Sequence, residues 1–146
     1  MEIQGLQKMT LLDYPGKVAC TVFLGGCDFR CPFCHNGELV LSPAPAEMNQ
    51  QELLAFLKKR QGLLDGVCIT GGEPLVRRDC PQLVRMLKNV PGIEKVTLTT
   101  NGVLLEQYLG ELLNAGLDAV NISLDTLDPG LYETITGADA LDKVLG

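Results

Sequence analysis

Residues 25–36 read GGCDFRCPFCHN, and three of those positions are cysteine: Cys27, Cys31 and Cys34, spaced C-x3-C-x2-C. An apolar run, residues 18–24 (VACTVFL), leads into them. Gly25 and Gly26 permit a tight bend there, because glycine has no Cβ to clash. Thiolate is the usual protein ligand of iron–sulfur clusters. Three thiolates on one short loop can therefore hold three corners of an iron–sulfur cube. The fourth iron then has no ligand in this loop and is open to a small molecule. Two plainer readings stand beside this one. Zinc sites usually close with four ligands, often as two C-x2-C pairs, whereas His35 is the only histidine and no second C-x2-C exists. A disulfide pair with a spare thiol belongs to exported proteins, and nothing else in the sequence points to export.

Composition sets the bounds. A length of 146 residues suits one domain, and 46% hydrophobic residues can build a core. The net charge of −6 argues against nucleic acid as a partner, since that surface needs a basic patch. No apolar run approaches a membrane span. The first ten residues, MEIQGLQKMT, lack the apolar segment of a secretory signal. Six cysteines without such a signal predict a cytoplasmic protein. With Trp absent, Leu and Val must supply most of the interior.

The rest of the chain alternates. Residues 1–17 predict a small leading hairpin or extended arm, with Tyr14-Pro15-Gly16-Lys17 as a turn. Residues 18–24 form a nearly all-apolar strand, as expected in a parallel sheet. Ser42-Pro43-Ala44-Pro45 breaks the chain after the cysteines. Leu53, Leu54, Phe56 and Leu57 recur at helical spacing over about 49–59. Residues 66–70 predict a second strand, ending in Gly71-Gly72-Glu73-Pro74. Asp79 is a candidate cap for a helix with Leu83, Val84, Met86 and Leu87 buried and Pro81 in its first turn. Residues 94–100 predict a third strand. A helix over 103–115 closes at Gly116. Residues 118–124 predict a fourth strand, an exposed edge unless it is covered. Asp128-Pro129 opens a short helix, and Asp139 starts another. Four strand–helix repeats predict an α/β fold with a parallel sheet and right-handed crossovers.

Each predicted strand end carries polar or ligating residues. These are the cysteines, then Gly71, Gly72 and Glu73, then Thr99, Thr100 and Asn101, then Asn121, Ser123 and Asp125. The C-terminal strand ends are where α/β barrels place their active sites. Cys20 and Cys68 lie inside apolar strands and read as small hydrophobes. Cys80 opens a helix, which can lower a thiol pKa, but a structural role is the better reading. His35 borders the cluster or simply faces solvent.

The C-x3-C-x2-C loop, behind a strand and ahead of GGEP, resembles the radical S-adenosylmethionine (SAM) superfamily. That resemblance implies a partial (β/α) barrel of about four parallel βα units in a single domain, 1–146, whole or truncated. It implies a four-iron four-sulfur cluster on Cys27, Cys31 and Cys34, and SAM as the second cofactor. It places Phe33 beside the adenine, Gly71, Gly72 and Glu73 at the methionine end, and Ser123 near the carboxylate or ribose. Thr99 and Asn101 are further cofactor-binding candidates. An electron donor of the flavodoxin or ferredoxin type is implied, with no nucleic acid and no membrane.

Two families within the superfamily compete. Residues 5–74, with GLQKMTLLDYPGKV and GCDFRCPFCHNGELV, resemble the activating proteins of anaerobic ribonucleotide reductase. That implies a glycyl-radical activase, an oxidoreductase acting on a partner glycyl-radical enzyme, and it is the leading expectation. Residues from 96 onward, TLTTNGVLLEQYLGELLNAGLDAVNISLD among them, resemble the GTP cyclase of molybdenum cofactor biosynthesis. That family carries arginines for GTP where Cys20 and Cys68 stand here. A non-catalytic iron–sulfur or SAM-binding module is the remaining alternative.

Overall fold

A computed structural model describes residues 1–11, 16–40 and 45–146. Tyr14, Pro15 and the 42–44 part of the predicted chain break lie outside the described residues. The first strands are β1 (Glu2–Ile3), β2 (Gly5–Thr10) and β3 (Ala19–Leu24), followed by α1 (Gly37–Val40) after the cysteines. Next come β4 (Met48–Asn49), α2 (Gln50–Lys59), β5 (Gly66–Gly71) and α3 (Cys80–Lys88). The last elements are β6 (Lys95–Thr100), α4 (Leu105–Ala115), β7 (Ala119–Ile122), α5 (Pro129–Thr136) and α6 (Leu141–Leu145).

The main sheet runs β2-β3-β5-β6-β7. β3, β5, β6 and β7 are parallel, as four βα units require. The leading arm does form a hairpin, but its partner is β3 itself, to which β2 pairs antiparallel. β1 and β4 make a separate two-stranded ribbon that the sequence pattern did not reveal. Strands this short carry too little periodicity to be read.

Side chains alternate across the sheet. Cys20, Val22, Leu24, Val67, Ile69, Val96 and Leu98 join Leu53, Leu57, Leu83, Val84, Leu87 and Leu112 in one core between sheet and helices. Met86, expected on that buried face, is half-buried and its sulfur accepts from Gln50 Nε2 at 2.8 Å. The opposite face is hydroxyl-rich. Thr21, Cys68 and Thr97 lie in register across it, and Thr99 pairs with Asn121.

The helix ends are mostly as the residues dictate. Asn49 and Glu52 form a reciprocal capping box on α2, Asp128 caps α5, and Gly116 closes α4 at φ 93°. Asp79 occupies the position before α3 but makes no capping bond. Ala140, not Asp139, precedes α6.

Candidate active site

The four parallel strand ends converge on one cavity of about 250 Å³. Cys27, Cys31 and Cys34 line it, as do Gly71, Gly72, Thr99, Asn101 and Ser123 from the predicted set. All three thiols are free. The geometry brings in further residues: Phe29, His35, Asn36, Thr70, Asp125 and Tyr132 all reach the wall.

The cysteine loop is held at several points. Phe29 N–H donates to Cys27 Sγ at 3.3 Å, and Arg30 N–H donates to the Thr136 carbonyl at 2.9 Å. Asn36 Nδ2 donates to the Gly71 carbonyl at 2.9 Å, tying the loop to β5. Asn101 Nδ2 donates to Asp28 Oδ1 at 2.7 Å, tying it to β6. Burial pushes the Cys27 thiol up to about 11, and burial also raises Cys31. Metal binding must therefore displace their protons.

Gly71 and Gly72 serve a purpose the sequence did not show. A Cβ on Gly71, which sits at φ 123°, would collide with the Leu24 backbone, and one on Gly72 with the Gly26 carbonyl. Gly72 N–H donates to the Leu24 carbonyl at 2.9 Å and Glu73 N–H to the Gly26 carbonyl at 2.7 Å. The glycines are thus what lets β5 close against the entrance to the cysteine loop.

Two of the expected residues stand off the cavity wall. Glu73 does not face the cavity. It is 1% exposed, and its carboxylate accepts from Leu75 N at 2.9 Å, Thr100 Oγ1 at 2.7 Å and Asn101 N at 2.6 Å. Burial raises its pKa and those bonds oppose the rise. It stitches β5 to β6 beneath the site. Phe33 is 59% exposed and absent from the cavity wall. It lies in the turn closed by Cys34 N–H to the Cys31 carbonyl, on the outer side of the loop. The aromatics that do line the cavity are Phe29 and Tyr132, and neither carried a signal in the sequence.

Asn101 is also more constrained than expected. Besides the bond to Asp28, its Oδ1 accepts from Val103 N at 3.0 Å. Cys20 is fully buried and Cys68 nearly so, and neither lines the cavity. Cys80 is fully buried, and burial pushes the Cys20 and Cys80 thiols up to about 12, in keeping with a structural reading of Cys80.

The donor set fits a cluster. A cube asks for one thiolate per iron, and Cys27, Cys31 and Cys34 all line the one cavity.

Comparison with known proteins agrees. Residues 21–145 match the model of the Radical SAM superfamily. The probable GTP 3′,8-cyclase of Sulfurisphaera tokodaii is 46% identical over 124 residues, covering 82% of this chain and 37% of that protein. The GTP 3′,8-cyclase of Rhodopirellula baltica is 42% identical, with 82% and 34% covered. That of Chlorobaculum tepidum is 37% identical over 152 aligned positions, with 99% and 44% covered. The chain thus spans well under half the length of these relatives. The crystal structure of Streptococcus suis SuiB superposes with a TM-score of 0.61 at 24% identity, covering 84% of this chain and 27% of that one. At that identity the likeness speaks for the fold alone. The thiol trio, the strand-end cavity and the matched 21–145 stretch make this chain a member of the radical SAM superfamily, with a four-iron four-sulfur cluster and SAM as its cofactors.

Proposed function

We propose that this chain is the cluster-bearing, SAM-cleaving part of an enzyme of the GTP 3′,8-cyclase type. The observation that carries the reading is the Chlorobaculum alignment, which runs along 99% of the chain. The N-terminal half therefore needs no separate ancestry, and the expectation of a glycyl-radical activase with a glycyl-radical partner finds no support among the relatives.

In this reading Cys27, Cys31 and Cys34 hold three irons, and the fourth is left for the amino-acid end of SAM. When bound and reduced, the cluster supplies the electron that splits SAM into methionine and a 5′-deoxyadenosyl radical. The backbone at Gly71 and Gly72 borders the methionine end. Thr70, Thr99 and Ser123 line the cavity, and in this reading their hydroxyls hydrogen-bond the carboxylate or ribose of SAM. An external electron donor of the flavodoxin or ferredoxin class completes the requirement.

The triphosphate of GTP is another matter. Among the described residues no Lys or Arg lines the cavity, and buried Cys20 and Cys68 stand where the resemblance expects arginine. Phosphates call for cationic, bidentate partners. The test is anaerobic reconstitution followed by product analysis under a strong reductant. Formation of 5′-deoxyadenosine, stimulated by GTP, is the expected result. A glycyl radical raised in a partner protein would favour the activase. No 5′-deoxyadenosine at all would leave a non-catalytic binding module.

A further inference from the structure

Beneath the cysteine loop the fold leaves one polar atom unanswered. Tyr132, in α5, is 3% exposed, and its hydroxyl is buried with no hydrogen-bond partner among the described residues. A buried hydroxyl without a partner costs about 1–3 kcal/mol. Phenylalanine would fill the same space without that cost. A group that accepts from the hydroxyl would remove that cost.

The surroundings narrow what that is. The Tyr132 ring meets Phe29 edge-on, with centroids 5.9 Å apart at 85°. Cys27 and Cys31 pack against the small apolar cluster that Phe29, Tyr132, Ala140 and Leu141 form. Tyr132 also lines the cavity. A tyrosine hydroxyl is a donor at neutral pH. Asp28 Oδ1 accepts from Asn101 Nδ2 and faces the Cys27 thiol, and Cys27 Sγ accepts from Phe29 N–H. Among the described residues, Cys31 Sγ is met only by its own backbone N–H.

We propose that the Tyr132 hydroxyl donates a hydrogen bond to the Cys31 sulfur when that sulfur ligates the cluster, and thereby raises the cluster's reduction potential. The inference rests on Cys31 being a cluster ligand. Hydrogen bonds to ligating sulfur are among the terms that set cluster potentials. They withdraw charge from the thiolate, so the added electron is better tolerated. The same contact couples α5 to the loop that already leans on it through Arg30 and Thr136.

The experiment compares the wild-type chain with Tyr132→Phe after anaerobic reconstitution. Iron and sulfide per chain, and the midpoint potential from a titration followed by electron paramagnetic resonance, are measured on each. The variant is expected to load the same cluster at a more negative potential. Before loading, it should melt at an equal or higher temperature, since the orphan hydroxyl is gone. Leu141→Ala loosens the same packing but keeps the hydroxyl, and is expected to leave the potential of any cluster formed unchanged. Equal potentials in Tyr132→Phe and wild type would overturn the proposal. So would a potential shift as large in Leu141→Ala. An unchanged potential with several-fold weaker SAM binding would overturn it too, assigning the hydroxyl to the small molecule. Wild-type protein that loads no cluster would overturn the cysteine assignment itself, a result visible before any variant is made.

Discussion

Two glycines a few ångströms from each other's neighbours show how much of this site is steric. Gly72 faces the Gly26 carbonyl so closely that alanine has no room. Gly72→Ala should cost several kcal/mol, on the order of 3 or more, because the obstacle is backbone and cannot rotate away. Thermal melts of the two proteins check this. Glu73→Gln should also destabilise, by about 2 kcal/mol. An amide nitrogen there would face one of three chain donors, Leu75 N, Thr100 Oγ1 or Asn101 N. Urea unfolding measures it. The GGEP run was legible as important, yet its reason was not. Sequence order shows that glycines recur at a strand end. It does not show that the neighbouring strand closes on them. The same limit explains Phe33 and Phe29. Both lie between cysteines of the loop, and only the path of the loop decides which one turns inward.

At the scale of elements, α4 and the turn after it carry opposite lessons. Gly110 sits exposed in the middle of α4 with open space around its missing Cβ. Gly110→Ala should therefore stabilise the chain by about 1 kcal/mol, the ordinary helix-propensity difference. Asp118, just before β7, binds three partners. Its Oδ2 accepts from Val96 N at 2.8 Å and from Lys88 Nζ at 2.9 Å, and Lys95 stands 3.7 Å from Oδ1. Burial alone would raise its pKa, but the Val96 N–H and the two ammonium groups outweigh burial and leave it lowered. A lowered folded pKa gives stability that is complete above the ordinary carboxylate pKa and lost as pH falls through the folded value. Asp118→Asn should thus be less stable than wild type at neutral pH, and the gap should close in strong acid. Urea midpoints across that range test it. The parallel strands and long helices were legible because their periodicity spans many residues. The β1–β4 ribbon was not, since two-residue strands exist only through their partner. The capping box at Asn49 and Glu52 was written in the sequence as N-x-x-E and passed unread beside the stronger apolar pattern.

The whole molecule is a four-unit arc of parallel sheet with a hydroxyl-rich face and a thiol-lined cavity at its C-terminal rim. Its last strand, β7, is mostly exposed along its length, as an edge strand was expected to be. The superfamily was legible from twelve residues, because ligand spacing constrains chemistry tightly. The choice between activase and cyclase was not, because the cysteine loop and GGEP are signatures of the superfamily and carry no mark of the substrate. The most direct measurement reconstitutes the wild-type chain with iron and sulfide under argon, reduces it, and adds SAM. The account predicts close to four irons per chain, an electron paramagnetic resonance signal that changes on SAM addition, and loss of both in Cys27→Ser, Cys31→Ser and Cys34→Ser but not in Cys80→Ser. Iron uptake that survives those three substitutions, or a spectrum indifferent to SAM, would contradict it.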